Sequence, residues 1–272
     1  MADTNLSLVL HGIKDLRLEE RPIPEPGRHE VQISIRSVGL CGSDVSYWQK
    51  GRIGNLVVTK PMVLGHEPSG VVSKLGSGVT NVRVGDRVAV EPNRPCGTCC
   101  YCKRGRYNIC SDLHYLATPP QDGCITRYFC HPATFVYKLP DNVNFDEGAL
   151  VQPLALGFYA CERGGLKVGD YLLVTGAAGT VVQVGLGGAT TQIPLTMVTL
   201  KELNIAGSSR FANNYEKVLE AISTGRLNVR QLVTHRFPIE QALQAYTATL
   251  NREGAKVIID CSRQQPDNHQ SD

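Results

Sequence analysis

The sequence has no apolar run near the roughly 20 residues that a membrane-spanning helix requires. Its formal net charge of +3 is too small to indicate binding to nucleic acid or to an anionic membrane. The N-terminus lacks the basic start and the small-residue cleavage site of a secretory signal peptide. These absences predict a cytoplasmic protein that contacts neither membrane nor nucleic acid.

The composition is otherwise that of a globular protein, with an unusual number of cysteines. Hydrophobic residues make up 42% of the 272 residues and charged residues 19%, which is enough apolar material for a sizeable core. In a reducing compartment the ten cysteines are more typical of metal ligands or buried thiols than of disulfides. Five of them fall between residues 96 and 110, and that clustering favours a metal site.

The first half of the chain reads as short strands separated by glycine and proline, which is typical of a β-barrel or a sandwich. The predicted strands are SLVLHG, LRLEERP, EVQISIRSVG, GVVSKLG, VRVGDRVAVEP, ITRYFCHP and FVYKLP. A helix is then predicted after Asp146, the expected N-cap, with a break or kink at Pro153 and an end at the glycine pair 164–165.

The second half mixes strands and helices. The buried runs YLLVTG and TVVQVGLG and the segment NIAGSS are predicted strands. The apolar spacing of residues 215–222 predicts a helix that ends at Gly225, and another helix is predicted after Pro238. AKVIID is the predicted last strand, and the polar tail 261–272 is expected to be disordered.

Four of the clustered cysteines have the spacing Cys-x2-Cys-x2-Cys-x7-Cys. They are Cys96, Cys99, Cys102 and Cys110. Four thiolates at this spacing can close a tetrahedron around Zn²⁺, and such a site is structural because it leaves no open position. Cys100 is adjacent to a ligand and is expected to point elsewhere. The alternative is a cluster of reduced thiols without a metal.

A second candidate metal site comes from VGLCGSDVSYW and VLGHEPSGVV. Its residues are Cys41, His66 and Glu67. A thiolate, an imidazole and a carboxylate leave the fourth position of a tetrahedral zinc open for water or substrate. Each residue alone is more often structural, so the assignment depends on the order in which the motifs follow one another.

That order resembles the zinc-containing medium-chain dehydrogenases. The segment GHEPSGVVSKLGSGVTNVRVGDRVAVEP carries the Gly-His-Glu-x2-Gly signature and is followed by the four-cysteine loop. CGSDVSYWQKGRIGN, LATPPQDG, YKLPDNV, EGALVQPLALG and LVTHRFPIEQALQAY look like the sorbitol (polyol) dehydrogenase branch. The resemblance extends over residues 6–260.

The resemblance implies a mixed α/β chain, in which a GroES-like β-barrel catalytic domain is interrupted by a Rossmann-like domain that binds NAD. The catalytic domain is expected at 1–153 and again at 209–260, with a truncated Rossmann-like remnant at 154–208. The implied activity is oxidation of a secondary alcohol of a polyol to a ketose with NAD, of the L-iditol 2-dehydrogenase type. The implied cofactors are two zinc ions per chain and NAD, and members of the family form homo-oligomers.

The resemblance also implies roles around the catalytic zinc. The ligands that it implies are Cys41, His66 and Glu67, with a water. Ser43 matches the hydroxyl that passes the proton outward, and Asp44 matches a carboxylate that orients a metal-bound imidazole. Tyr47 and Arg210 match residues that contact the polyol chain, for which a guanidinium with several donors is suited.

Two positions of the implied site depart from the branch. Gln152 replaces a glutamate that hydrogen-bonds the zinc water, so a group that can accept a proton is replaced by a neutral amide. Phe211 replaces a tyrosine, which removes one hydroxyl contact. Both changes predict weaker catalysis without loss of metal.

The segment YLLVTGAAGTVVQVGLGG, residues 171–188, departs furthest from the family. Three residues separate its two strands, whereas a parallel connection requires a dozen or more. The Gly-x-Gly-x-x-Gly fingerprint, its helix and the ribose-binding acid are missing, and Gly176, Gly185 and Gly187 are the remnants. Roughly 80 residues are missing, at about 30 residues for each βαβ unit. The sequence therefore predicts a hairpin or one bent strand here, and impaired activity.

Three functional hypotheses follow. The first is a zinc- and NAD-dependent polyol dehydrogenase with impaired activity. The alternative is a non-catalytic zinc-binding isoform that associates with full-length subunits through TVVQVGLGGATTQIPL. The third is a zinc hydrolase, which is disfavoured because Gln152 stands where a general base would be needed.

Overall fold

The computed structural model describes residues 4–167, 180–185, 190 and 192–262. The predicted strand YLLVTG and the connection after it lie outside the described residues, as do Gly176, Gly187 and the tail from residue 263. Within the described ranges we find no helix that combines the length and the apolarity of a membrane span. All ten cysteines are described, and all are free thiols.

Strands dominate the described residues. They are β1 Asn5–Gly12, β2 Asp15–Arg21, β3 Glu30–Gly39, β4 Arg52–Ile53, β5 Leu56–Val57, β6 Met62–Val63, β7 Glu67–Leu75, β8 Arg87–Val90, β9 Asn93–Arg94, β10 His114–Tyr115, β11 Tyr128–Pro132, β12 Val136–Lys138, β13 Thr180–Gln183, β14 Asn204–Gly207, β15 Val233–Pro238 and β16 Lys256–Asp260. The α-helices are α1 Gly42–Lys50, α2 Cys100–Lys103, α3 Phe145–Arg163, α4 Leu195–Leu200, α5 Tyr215–Ser223 and α6 Ala242–Asn251.

The main sheet has seven strands and is centred on β3. Its order is β12-β8-β7-β3-β16-β15, and β11 also pairs with β3. One side of β3 pairs with β7, while the other side pairs with β11 in its first half and with β16 in its second half. Alternate side chains of β3, including Ile33 and Ile35, are fully buried. This position at the centre of the sheet explains why the predicted strand 30–39 is found with the same bounds.

The strand predicted over residues 82–92 is found only as β8, Arg87–Val90. Gly85 has a φ of +92°, and the amide of Asp86 donates to the carbonyl of Arg83 at 3.1 Å. A tight turn therefore occupies the first half of the apolar run, which strand periodicity alone does not reveal.

The helix α3 begins two residues earlier than predicted. Its N-cap is Asn144, whose side-chain oxygen accepts from the amide of Glu147 at 2.9 Å, and the Glu147 carboxylate accepts from the amide of Asn144 at 2.9 Å. This is a capping box, in which the two side chains satisfy two otherwise unpaired amides. The prediction of Asp146 as the cap is wrong, because that side chain accepts from the Ser37 hydroxyl instead.

Pro153 does not end α3. The helix continues to Arg163, so of the two predicted alternatives, a break or a kink at Pro153, the break is wrong. A proline within a helix removes one amide donor, which the flanking turns can tolerate when packing holds the helix. Here α3 packs on β3, β7 and β8 on one side and on α5 on another. The predicted end at the glycine pair is confirmed, with Gly165 at a φ of +67°.

The segment between α3 and α5 forms a small, open sheet. β13 pairs in parallel with β14, and the six-residue helix α4 lies between them in the chain. The predicted strand in NIAGSS is therefore confirmed. Large apolar side chains remain exposed here, with Leu195 at 70% and Leu200 at 80% of their accessible surface.

Candidate functional site

The cysteine lobe, residues 96–110, brings its four spaced cysteines to one point. Their sulfur atoms lie within 4.8 Å of one another, and the contacting sulfur pairs are 3.5 to 3.9 Å apart. A tetrahedral zinc ion with Zn–S bonds of about 2.3 Å requires sulfur–sulfur edges of about 3.8 Å. The donor set and its spacing therefore fit a zinc ion with four thiolate ligands.

Backbone amides in the lobe point at the sulfur atoms. The amide of Cys99 donates to Cys96 Sγ at 3.3 Å, and the amide of Cys102 donates to Cys99 Sγ at 3.5 Å. Hydrogen bonds from the backbone of Thr98 and Cys99 lower the pKa of Cys96 to about 6, which favours the thiolate that binds a metal. Cys100 is exposed and lies outside the cluster, as predicted.

The second candidate metal site combines side chains from separate elements. Cys41 immediately precedes α1, His66 immediately precedes β7, and Glu67 is the first residue of β7. The register of β3 on β7 places Glu67 opposite Gly39, two residues before Cys41. One ligand atom from each of the three side chains lies within 4.8 Å of the other two. A thiolate, an imidazole and a carboxylate at this separation fit a zinc ion with one open position.

Asp44 holds the loops that carry two of these ligands. Its carboxylate accepts from the amide of Cys41 at 3.1 Å and from the amide of Gly65 at 3.0 Å, and it lies 3.7 Å from His66 Nδ1. Burial alone would lower the pKa of His66, but the negative Asp44 and the Cys41 sulfur raise it well above its usual value. A metal ion therefore competes with a proton at this imidazole.

Lys256 was missed by the sequence analysis. Its ammonium group forms an ion pair with Glu67 Oε2 and donates to the carbonyl of Leu40 at 3.0 Å. Gly39 makes room for this carboxylate, since a Cβ there would lie 2.1 Å from Glu67 Oε2. The motif around Glu67 gives no signal for Lys256, because β16 reaches the site only through sheet pairing nearly 200 residues later in the chain.

Tyr115 was also missed, and it connects several residues of the predicted site. Gln152 Nε2 donates to the Tyr115 hydroxyl at 2.8 Å. The Arg210 guanidinium lies over the Tyr115 ring at 4.8 Å from its centroid, and the ring of His66 is 5.7 Å away. Burial raises the pKa of Tyr115 far above its usual value, so the phenol is protonated at neutral pH. The adjacent motif LATPPQDG was the signal that could have drawn attention to it.

The remaining predicted residues lie close to the same site or behind it. Tyr47 is buried, and burial raises its pKa to about 12, while the charge of Arg210 opposes that shift. The Ser43 hydroxyl is buried and has no hydrogen-bond partner among the described residues. Phe211 is fully buried, and its ring packs 5.6 Å from Tyr215 in the core between α3 and α5.

Among the described residues of 180–207, no long helix follows a glycine-rich turn. Pyrophosphate is captured by free amides at the N-terminus of a helix after a glycine-rich turn. The helix between β13 and β14 has six residues, and its N-cap is Pro194, which has no amide hydrogen. The carbonyl of Gly185 accepts from the Gln183 side chain at 2.6 Å.

The chain is similar to known proteins over nearly its whole length. Residues 27–141 match the alcohol dehydrogenase GroES-like domain. Sorbitol dehydrogenase of Bos taurus is 39% identical over 342 residues, which include 94% of this chain and 96% of that protein. The sorbitol dehydrogenases of Gallus gallus and Homo sapiens are 37% and 38% identical with the same coverage.

These alignments are longer than the chain itself. An alignment of 342 positions that includes 94% of a 272-residue chain contains at least 70 positions that this chain does not fill. Because the alignment also includes 96% of the relative, the unfilled positions are internal. This agrees in size with the roughly 80 residues that the count of βαβ units predicts to be missing.

The same fold is found among solved structures. A protein of Escherichia coli described as "ECK1772, an oxidoreductase/dehydrogenase of unknown specificity involved in membrane biogenesis" has a TM-score of 0.88 and 28% identity, over 96% of this chain and 100% of that chain. L-idonate 5-dehydrogenase of Escherichia coli has a TM-score of 0.85 and 23% identity, over 96% and 99% of the two chains. The 2R,3R-butanediol dehydrogenase of Bacillus subtilis has a TM-score of 0.83 and 22% identity, over 94% and 99%. The mixed α/β fold with a GroES-like domain is thus confirmed.

Proposed function

The chain belongs to the zinc-dependent polyol dehydrogenase family, and we propose that it binds a polyol at a zinc ion held by Cys41, His66 and Glu67. The observation that carries this proposal is the convergence of these three ligand atoms within 4.8 Å of one another. Arg210 lies over Tyr115, which is in turn close to His66. The polyol would therefore be held between a metal and a guanidinium with several hydrogen-bond donors.

When bound, a zinc ion at this site would polarise a substrate hydroxyl and lower its pKa. The side chains of the protein would then orient the substrate and its protons. Asp44 would fix the imidazole of His66, and the buried Ser43 hydroxyl would hydrogen-bond the reacting hydroxyl and pass its proton outward. Arg210, Tyr47 and Tyr115 would bind the other hydroxyl groups, while Gln152 would hold the Tyr115 phenol in place.

We further propose that the isolated chain binds a polyol without oxidising it. Oxidation to a ketose needs a hydride acceptor, and the absence of a long helix after a glycine-rich turn among the described residues of 180–207 supports the view that the chain does not hold NAD by itself. The zinc ion of the cysteine lobe would be structural, because its four thiolates leave no open position. The second candidate function is dehydrogenation in a mixed assembly, in which a longer subunit would supply the nucleotide-binding half.

Elemental analysis of the purified chain tests the metal part of this proposal. About two zinc ions per chain are expected, and Cys41→Ser and Cys99→Ala should each remove one of them. Titration with sorbitol should give saturable binding that Cys41→Ser abolishes and Cys100→Ser leaves intact. Titration with NAD should give no saturable binding by the isolated chain. A chain with normal stability and no zinc would contradict the proposal. NAD-dependent oxidation of sorbitol by the isolated chain would also contradict it, because it would show that the chain is a complete dehydrogenase.

A further inference from the structure

The cysteine lobe is hydrogen-bonded to the segment that carries Arg210. Asn108 Nδ2 donates to the carbonyl of Ser209 at 2.9 Å. The amide of Asn213 donates to the Tyr107 hydroxyl at 2.8 Å, and Asn213 Nδ2 donates to the carbonyl of Gly105 at 2.9 Å. Two residues of the lobe, Tyr107 and Asn108, therefore hold the backbone on both sides of Arg210, and a third, Gly105, holds the Asn213 side chain.

The held backbone is in an unfavourable conformation. Arg210 has a φ of +52° and Asn213 has a φ of +60°. A left-handed conformation is unfavourable for a residue with a side chain, although asparagine tolerates it better than arginine does. Such residues keep this conformation only where surrounding contacts fix it. The contacts that surround residues 209–213 include those from the lobe.

The opposite side of the segment is fixed in the core. Phe211 is fully buried against Tyr215, and its carbonyl lies 3.4 Å from Asn93 Nδ2. The segment is therefore held between the core and the lobe, and the lobe carries the candidate four-cysteine metal site. The 3₁₀ turn Tyr107–Ile109, which contains two of the contacting residues, lies between the third and fourth cysteines of the four-cysteine site.

We infer that the cysteine lobe is a clamp that holds Arg210 over Tyr115, so that the metal of the four-cysteine site positions a substrate-binding group of the other site. Asn108 and Asn213 are positioning residues in this inference, because neither touches the metal ligands or the substrate. The inference rests on the proposed function in one respect, namely that Arg210 binds the polyol. Loss of the lobe metal should weaken polyol binding while Cys41, His66 and Glu67 keep their zinc ion.

Hydrogen exchange measured by mass spectrometry on the full chain tests the clamp without requiring catalysis. Asn108→Ala should accelerate exchange in residues 209–214 while the chain keeps about two zinc ions. Cys99→Ala should remove one zinc ion and accelerate exchange in the same residues. Cys100→Ser is the matched control, because this exposed cysteine lies in the lobe but outside the cluster. It should change neither zinc content nor exchange.

Sorbitol affinity supplies the second readout. One hydrogen-bonding contact contributes about 1 kcal/mol, so Asn108→Ala and Cys99→Ala should each raise the dissociation constant about 3- to 10-fold. Asn213→Gly suits the positive φ and keeps the amide, so it should fold normally and show a smaller increase. If the wild-type chain does not bind sorbitol, the proposed function fails, but the exchange result still tests the clamp. A Cys99→Ala chain that loses one zinc ion and keeps residues 209–214 protected would overturn the inference.

Discussion

Tyr115 adds to the predicted site a hydroxyl group that the sequence analysis did not include. The sequence analysis expected a hydroxyl contact to be missing, because Phe211 stands where the family has a tyrosine. The phenol of Tyr115 lies beside His66 and below Arg210, and it accepts a hydrogen bond from Gln152. Its own proton is left to donate, so it can replace the missing contact to a polyol.

Tyr115→Phe should therefore weaken sorbitol binding without removing zinc. The ring remains under the guanidinium, and only the hydroxyl is lost, so the dissociation constant should rise about 2- to 10-fold for one neutral hydrogen bond. Calorimetry with the zinc-loaded chain measures this change. Tyr101→Phe is the control, because that ring is exposed on the cysteine lobe. Unchanged affinity in Tyr115→Phe would show that the phenol does not contact the polyol.

Gln152→Glu should reverse the direction of one hydrogen bond at the site. The amide now donates to the Tyr115 hydroxyl at 2.8 Å, whereas a carboxylate would accept from that hydroxyl and could also accept a proton. Turnover of sorbitol should rise in an assembly that binds NAD through a longer subunit, and zinc content should stay the same. Stopped assays of the mixed assembly, with wild-type chain in parallel, measure the change. Equal or lower turnover would show that the missing carboxylate does not limit the site.

At the scale of single elements, β11 contains a buried group whose charge state depends on folding. His131 is fully buried, its Nε2 lies 2.8 Å from the carbonyl of Glu91, and burial lowers its pKa to about 4. Between pH 6.5 and about 4 the unfolded chain takes up a proton that the folded chain excludes. The stability that this residue contributes is therefore present above pH 6.5 and is lost as the pH falls towards 4.

His131→Gln should make the free energy of unfolding less dependent on pH in this window. The glutamine amide can donate to the same carbonyl but takes up no proton, so up to about 3 kcal/mol of pH dependence should disappear. Urea unfolding of wild type and variant at several pH values measures the difference in slope. Leu243→Gln, at an exposed position without a titratable group, should keep the wild-type slope. A His131→Gln chain with that same slope would mean that His131 is not the group that titrates.

The elements that the sequence predicts well are those whose pattern reflects burial. The strand 30–39 and the helix 215–223 have one clear periodicity and a glycine or turn at the end, and both are found as predicted. The cap of α3 was misplaced because Asn144, Asp146 and Glu147 all suit a helix N-terminus, and only the actual hydrogen bonds decide between them. Local pattern does not contain that information.

The candidate metal ligands could be identified in the sequence for a different reason, whereas the residues around them could not. Cysteine spacing and the Gly-His-Glu triplet are local signals, and the residues that carry them converge in the structure. Lys256 reaches the second site through the pairing of β16 with β3, and Tyr115 reaches it from β10. No short motif therefore contains either of them together with the candidate ligands. Contacts between residues far apart in the chain depend on the fold, which the motifs do not specify residue by residue.

At the scale of the whole molecule, the small sheet of β13 and β14 exposes apolar surface. Leu195 and Leu200 of α4 and Ile205 of β14 are between 48% and 80% exposed, and both edges of the two-stranded sheet lack a partner among the described strands. Unpaired strand edges next to apolar side chains promote association of chains. The isolated chain should therefore self-associate as its concentration rises.

A chain with both Leu195→Glu and Leu200→Glu should remain monomeric at concentrations where the wild type associates. The added charges would be placed in any contact that buries α4, which costs several kcal/mol when no partner compensates them. Sedimentation velocity over a range of concentrations measures this. Leu243→Glu, on the exposed face of α6, controls for a general effect of added charge. A wild-type chain that stays monomeric throughout would contradict the prediction.

The pairing of β16 with β3 means that the middle of the chain is topologically an insertion. Five strands of the main sheet come from residues 30–138, and only β15 and β16 come from the end of the described chain. The last of them, Lys256–Asp260, pairs with the central strand β3. The entropy of closing such a loop depends only weakly on its length, at about 0.6 kcal/mol for each doubling. Removal of some 80 residues from the insertion therefore changes the cost of closing the sheet by a fraction of 1 kcal/mol. The insertion can therefore be shortened while the rest of the chain, which carries both candidate metal sites, still folds.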